Sequence, residues 1–237
     1  MGQGGLATTL TREKLLTVPT SNAFLLDVVD LLPARVRSYP GKRLLDFLLA
    51  GTGLLFLAPL MALVALAIIV ASPGPVIFSH ERIGANGRRF KCLKFRTMCV
   101  GAAERLQQLL ESDEKLRGEF AANQKLRNDP RVNRLGAFLR RTSIDELPQL
   151  CNVLVGHMSV VGPRPIVTEE LALYGDAVTE YLCVRPGLTG AWQVSGRSDT
   201  TYRERVELDR EYVQSLSLRI DLRIIRRTFR AAVRGGY

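Results

Sequence analysis

The chain has 237 residues, 46% of them hydrophobic and 24% charged, with a formal net charge of +10. That is enough for one large domain or two small ones with a packed core, and too apolar for a disordered chain. The positive balance points to an anionic partner: nucleic acid, an anionic membrane surface or a phosphorylated substrate.

Residues 1–38 form an N-terminal extension. It carries a short apolar, helix-like piece, Ala23–Leu32, closed by Pro33, and no apolar stretch behind a basic start of the kind that marks a signal peptide. The next segment, residues 39–73, holds the run Phe47–Ala71, "FLLAGTGLLFLAPLMALVALAIIVA", which has no charge. As a helix it is long enough to cross a hydrocarbon core of roughly 30 Å. Pro59 lies in its middle, where a proline removes a backbone hydrogen bond and kinks a helix. Both flanks are basic. Arg35, Arg37, Lys42 and Arg43 precede the run; Arg82, Arg88, Arg89, Lys91, Lys94 and Arg96 follow it. Lys and Arg favour the cytoplasmic side. A helix that enters, bends at Pro59 and returns keeps both clusters inside, and this reading is favoured. A kinked spanning helix is the alternative. Asp46 suits an interfacial position.

Residues 74–237 follow as the remaining domain. Val76–Phe78 and Phe90–Phe95 read as two short strands, with Gly84, Asn86 and Gly87 as turn chemistry between them, so a hairpin is expected. Ala102–Gln124 reads as one charged amphipathic helix. Leu135–Leu139 starts another helical stretch. "VVGPRP" at Val160–Pro165 is rigid and cannot be regular helix, and Tyr181–Arg197 is Gly-rich and irregular. Thr201–Leu216 is helical. Ile220–Val233 is a basic amphipathic helix; its pattern suits a membrane surface or a solvated helix packed on a core. The four cysteines form no CxxC pair, and with His80 and His157 as the two histidines a structural zinc site is not expected.

The chemistry concentrates in "TSIDELPQL", Thr142–Leu150. Ser143-x-x-Glu146 is the pattern of a capping box, with Ser143 as N-cap, and Pro148 suits an early helical position. The same carboxylates, Asp145 and Glu146, could instead serve as a nucleophile toward phosphorus and as oxygen ligands for Mg²⁺. Arg140, Arg141 and Arg164 could hold phosphate oxygens. The residues alone leave both readings open.

"RRTSIDELPQLCNVLVGHMSVVGPRP" (Arg140–Pro165) resembles the signature of the bacterial sugar transferases, the monotopic polyprenyl-phosphate phosphoglycosyl transferases. "KRLLDFLLA", "SPGPVIFSHERIGANGRRFKCLKFRTM", "DPRVNRLGAFLR" and "RPGLTGAWQVSGR" resemble further blocks of that family in the same order, over about residues 41–230. The resemblance implies a mainly α fold with a small β-hairpin: a monotopic membrane protein with a Pro-broken re-entrant helix and interfacial amphipathic helices. It implies transfer of a sugar 1-phosphate from a UDP-sugar, galactose or glucose favoured, to undecaprenyl phosphate in exopolysaccharide synthesis, with Mg²⁺ as cofactor. Asp145 would be the nucleophile, and Glu146 would assist through Mg²⁺ or by orienting the acceptor. Lys94, Arg96, Arg140 and Arg164 would bind substrate phosphates; for Lys94 and Arg96, attraction to the membrane surface is an equal reading. Asp129, Arg131, Pro163 and Pro165 would support the site. The implied location is the bacterial inner membrane, with the catalytic domain on the cytoplasmic face. The implied partners are the lipid bilayer and downstream glycosyltransferases. A homodimer through the terminal helices or membrane segment is compatible with the pattern, and nucleic acid is not an expected partner. Two alternatives rest on charge and fold alone: a membrane-tethered nucleic-acid-binding protein, and a scaffold without catalysis. The chain departs from the family's pattern at His80, Asn133, Cys151 and His157; Asn133 and Cys151 read as tolerated replacements.

Overall fold

The computed structural model describes residues 36–123, 126, 129–195 and 201–233, and the expected helical piece at 23–32 lies outside them. The chain divides into two compact units interleaved in sequence: one of Met1–Leu54, His80–Cys92 and Gln149–Gly236, the other of Leu55–Ser79 and Leu93–Pro148. The expected mainly helical architecture is present. It comprises α1 (Lys42–Ala71), β1 (Ile77–Ile83), β2 (Arg89–Phe95), α2 (Ala102–Ser112), α3 (Glu114–Asn123), α4 (Arg134–Thr142), α5 (Gln149–Val155), β3 (Ser159–Val161), α6 (Leu171–Tyr174), α7 (Val178–Leu182), β4 (Gly187–Thr189), α8 (Tyr202–Gln214) and α9 (Leu218–Val233). β1 and β2 form the expected two-stranded sheet. They are longer than the sequence suggested, and Asn86 in their connection adopts a left-handed conformation at φ 55°.

The long apolar run forms α1, 30 residues that stay helical through Pro59. Leu55, Phe56, Leu63, Leu66 and Val70 are all exposed on it, Phe56 at 75%. An apolar surface this long and continuous is not stable in water and marks contact with lipid or protein. Thirty residues at about 1.5 Å each give roughly 45 Å, more than a vertical crossing needs.

In the first unit, the start of α1 is held by buried polar contacts. Lys42 Nζ lies 2.6 Å from Asp221 Oδ2 on α9, and donates to the Val161 carbonyl at 3.0 Å and the Tyr212 hydroxyl at 3.2 Å. Arg43 donates to the carbonyls of Val153 and Leu154 at the end of α5, both at 2.7 Å. Asp46, expected at a membrane interface, is instead buried in protein. It accepts from Ser159 Oγ at 2.8 Å and the Val160 N–H at 2.9 Å, because a carboxylate out of water needs such donors.

The same unit holds a parallel pairing that the sequence did not suggest: β3 beside β4, with Ser159 opposite Gly187 and Val161 opposite Thr189. A Cβ on Gly187 would stand 2.1 Å from the Gly162 nitrogen, so the two backbones approach too closely for any side chain. Ile83, Ile166, Tyr174, Tyr181 and Leu182 form one core of this unit; Val161, Val184, Tyr212, Val213 and Ile224 form a second. α8 begins at a capping box, Thr201 with Glu204.

In the second unit, Val64 and Ile68 of α1 pack with Phe95 and Leu139, flanked by Leu135, Ile144 and Leu147. The expected single helix over 102–124 is divided into α2 and α3. Asp113 interrupts it because its carboxylate accepts from the Lys115 and Leu116 N–H groups and starts a new helix. Asn133 caps α4 by accepting from the Gly136 N–H at 2.7 Å, which explains why Asn serves at that position.

Candidate active site

The stretch Thr142–Leu150 does not form the capping box that its spacing suggested. α4 ends at Thr142, and Ser143 takes a left-handed conformation at φ 56° as its C-cap. Ser143 makes no side-chain cap to the 3₁₀ turn Ile144–Glu146 that follows. A left-handed residue sends the chain off in a new direction. Ile144 turns into the core of the second unit, Asp145 is buried, and Glu146 is free of the helix start and reaches Lys94.

Lys94 is the centre of the arrangement. Its Nζ is 2.6 Å from Glu146 Oε1 and 4.0 Å from Asp145 Oδ2. Side-chain exposure separates the carboxylates: 10% for Asp145 against 32% for Glu146. Burial pushes the Asp145 carboxyl up to about 6, against the pull of Lys94 and Arg140 and with a further push from Glu146. At neutral pH it is still mostly ionised, and poorly solvated. A carboxylate stripped of water beside a fixed ammonium suits nucleophilic attack on an anionic phosphorus centre, because the cation offsets the repulsion.

Arg140 stands on the last turn of α4 and donates from Nε to Thr97 Oγ1 at 2.8 Å. Gly136 permits this closeness: a Cβ there would lie 2.1 Å from the Thr97 carbonyl oxygen. Thr97 is a positioning group that sequence reasoning missed, although it sits inside the "KFRTM" block.

Arg96, two residues beyond Lys94, goes elsewhere. It lies just past the end of β2, and its guanidinium donates to the Ser72 and Pro73 carbonyls just beyond α1. Arg96 therefore ties down the end of the apolar helix. Asp129 and Arg131 bind each other through two contacts of 2.6 and 2.8 Å. The Arg131 carbonyl accepts from the Cys99 N–H at 2.9 Å, which fastens this loop beside the chain that leaves β2. The Arg131 ion pair holds the Asp129 carboxyl below the usual carboxylate range.

The remaining expected residues belong to the first unit. The Pro163 carbonyl accepts from the Gly187 N–H at 2.7 Å, and the Pro165 carbonyl accepts from Arg82 at 3.4 Å. Arg164 is thus carried on a clamped segment, 3.8 Å from Glu170 and 5.9 Å from the Trp192 ring centre. His157, in the same unit, packs its ring against Phe90 at 5.7 Å, a contact made by shape rather than charge. Replacing His157 with Asp is expected to leave turnover within a few-fold of the parent, read as initial rate at saturating donor.

Among the described residues, no three His, Cys, Asp or Glu side chains gather into a metal cage. Mg²⁺ does not need one: it binds through one or two carboxylates and completes its shell with water and substrate phosphates. The oxygen-only pair Asp145 and Glu146 fits that requirement.

The family model described as bacterial sugar transferase matches residues 37–235. The chain is 48% identical over 198 residues to the exopolysaccharide production protein ExoY of Rhizobium meliloti, covering 83% of this chain and 88% of that protein. It is 45% identical over 193 residues to the undecaprenyl-phosphate galactose phosphotransferase of Salmonella typhimurium, covering 81% of this chain and 40% of that protein. Against the UDP-glucose:undecaprenyl-phosphate glucose-1-phosphate transferase of Escherichia coli, identity is 41% over 192 residues, covering 78% and 38%. The matched region contains the Asp145–Glu146 pair, Lys94 and α4, and the chain belongs to the bacterial sugar transferase family.

Proposed function

We propose that the protein transfers a sugar 1-phosphate from a UDP-sugar to undecaprenyl phosphate by way of a covalent aspartyl intermediate, as the first membrane step of exopolysaccharide or related glycoconjugate synthesis. The observation that carries this reading is the buried Asp145 facing Lys94, with Glu146 bound to the same ammonium. The named activities of the Salmonella and Escherichia coli relatives support galactose or glucose as the sugar.

In the first half-reaction a carboxylate oxygen of Asp145 attacks the β-phosphorus. A bond forms between that oxygen and phosphorus, the bond to the bridging oxygen breaks, and UMP leaves. In the second, a phosphate oxygen of undecaprenyl phosphate attacks the same phosphorus and Asp145 departs as a carboxylate. Lys94 holds the charge of both substrates in turn, and Arg140, steadied by Thr97, meets the outer phosphate oxygens. Mg²⁺ held by Asp145 and Glu146 would neutralise diphosphate charge. Splitting the transfer lets a water-soluble donor and a membrane-bound acceptor use one nucleophile in sequence.

The membrane reading is a re-entrant α1 that bends at Pro59 without leaving helical geometry, in the inner membrane with the polar units on the cytoplasmic face. Two features support it. A buried ion pair between Lys42 and Asp221 holds the start of α1 to protein, and Arg96 caps its far end. α9 adds an interfacial surface: Leu218, Leu222 and Phe229 are exposed on one stripe, beside Arg219, Arg223, Arg226, Arg227 and Arg230. Such a stripe with a basic border suits an anionic bilayer surface.

Detergent-purified protein given undecaprenyl phosphate, Mg²⁺ and a panel of UDP-sugars is expected to release UMP with one donor. Release with none of them would contradict the reading.

A further inference from the structure

β2 ends at Phe95, and Lys94, Phe95 and Arg96 follow one another there. Each makes a different attachment. Lys94 Nζ turns to the dyad, 2.6 Å from Glu146 and 4.0 Å from Asp145. Phe95 is buried with Val64 and Ile68 of α1, and Ile144 and Leu147, which bracket the dyad, pack against the same cluster. Arg96 closes on the segment that leaves α1. Its N–H donates to the Val76 carbonyl at 2.9 Å, and its guanidinium donates to the Ser72 and Pro73 carbonyls. All of these residues belong to the second unit.

This is a poor setting for a phosphate ligand. Arg96 is 9% exposed, and both Nη1 and Nη2 are engaged by backbone carbonyls. It is a good setting for a brace. α1 has no basic residue in its last turn, and Arg96 brings from the strand the positive charge that a helix C-terminus favours. Gly74 makes room for it. Its φ is 135°, and a Cβ there would stand 2.8 Å from Arg96 Nη1.

The ends of secondary elements fray unless they are held. Lys94 is the last but one residue of β2, so its ammonium is only as well placed as that end. The reaction is sensitive to this placement, because a misplacement of about 1 Å can cost on the order of a hundredfold in rate. Phe95 fixes the strand end against the core under the dyad, and Arg96 fixes it against the exit of α1.

We propose that Arg96 is a positioning residue: it pins the end of β2 to the exit of α1 and thereby holds Lys94 against Asp145 and Glu146. This rests on the transfer reaction proposed above. A phosphate ligand at the same position, which the resemblance implied, would act on substrate directly and independently of Lys94.

A double-variant cycle separates the two roles. Full-length protein in detergent is given undecaprenyl phosphate, Mg²⁺ and the UDP-sugar that the parent uses, and UMP release is followed. Arg96→Ala is expected to lower kcat by about tenfold to a hundredfold, with KM for both substrates within about threefold of the parent. Arg96→Lys, which still donates to a carbonyl, should recover most of the lost kcat. In a Lys94→Ala background the further change Arg96→Ala should cost no more than about twofold, because it acts through the lysine. If Arg96→Ala does not fold, Arg96→Lys carries the same cycle. An equal loss in both backgrounds, with a raised KM, would overturn the proposal in favour of a direct phosphate ligand. An equal loss that follows the melting temperature, with KM unchanged, would overturn it in favour of a brace that serves only stability. Parental kcat in Arg96→Ala would overturn it as well. Each of these leaves the transfer reaction standing, whereas no UMP released by the parent with any donor would remove both.

Discussion

Asp145→Asn is expected to lower turnover by about three orders of magnitude or more, the scale of loss when a covalent nucleophile is removed. Folding should not suffer, and the charge argument gives the sign. Burial raises the Asp145 carboxyl from 3.8 to about 6. A raised carboxyl contributes stability that is fully present below about 4 and lost as pH rises through about 6. At pH 7 the native state therefore carries an ionised carboxylate it would hold more cheaply as a neutral group, a penalty of about 3 kcal/mol. The amide removes that penalty, so the variant should melt no lower than the parent at pH 7 and lose this advantage near pH 4. The parent's kcat/KM for the donor should fall about tenfold per pH unit below about 6, as the nucleophile protonates. Initial rates and melting curves across pH 4–8 check both. An inactive variant that is also unfolded would leave Asp145 with a structural role.

The second large effect lies far from the dyad in sequence. Lys42→Met is expected to destabilise the protein by about 3–5 kcal/mol, the usual result of leaving one partner of a buried ion pair alone. Asp221 is 1% exposed. Without Lys42 it would keep only the hydroxyls of Tyr39 and Tyr212, at 2.9 and 2.8 Å. The melting temperature should fall by roughly 10 °C or more. Lys42→Met combined with Asp221→Asn should recover much of the loss, because no unpaired charge then remains inside. Failure of the double variant to recover would mean that the lysine works through packing of its stem rather than through the pair.

The features legible in the sequence were those with strong local patterns. An uncharged apolar run of this length has one physical solution, a helix in contact with lipid or protein, and it forms α1. Turn residues at Gly84, Asn86 and Gly87 announced the hairpin. The β3–β4 pairing was not legible, because strands of three residues show no alternation and parallel partners are distant in the chain. Asp113 and Ser143 show a subtler limit. Both are common cap residues, and only the surrounding packing decides that Asp113 starts a helix while Ser143 ends one. The dyad and Lys94 could be named from motif resemblance, but the 2.6 Å meeting of Lys94 with Glu146 across 52 positions is a product of tertiary structure. Lys94 and Arg96 looked alike as cations, but β2 ends at Phe95 between them, and the structure gives one to the dyad and the other to the end of α1.

The most direct test of the central claim is isotope exchange between labelled UMP and a UDP-sugar, with Mg²⁺ and no lipid acceptor present. A covalent intermediate on Asp145 predicts label in the UDP-sugar, for the donor that the protein uses, and no exchange in Asp145→Asn. Absence of exchange from protein that does form product once undecaprenyl phosphate is added would contradict it, and would mean direct transfer between two bound substrates with Asp145 as a metal or orienting group.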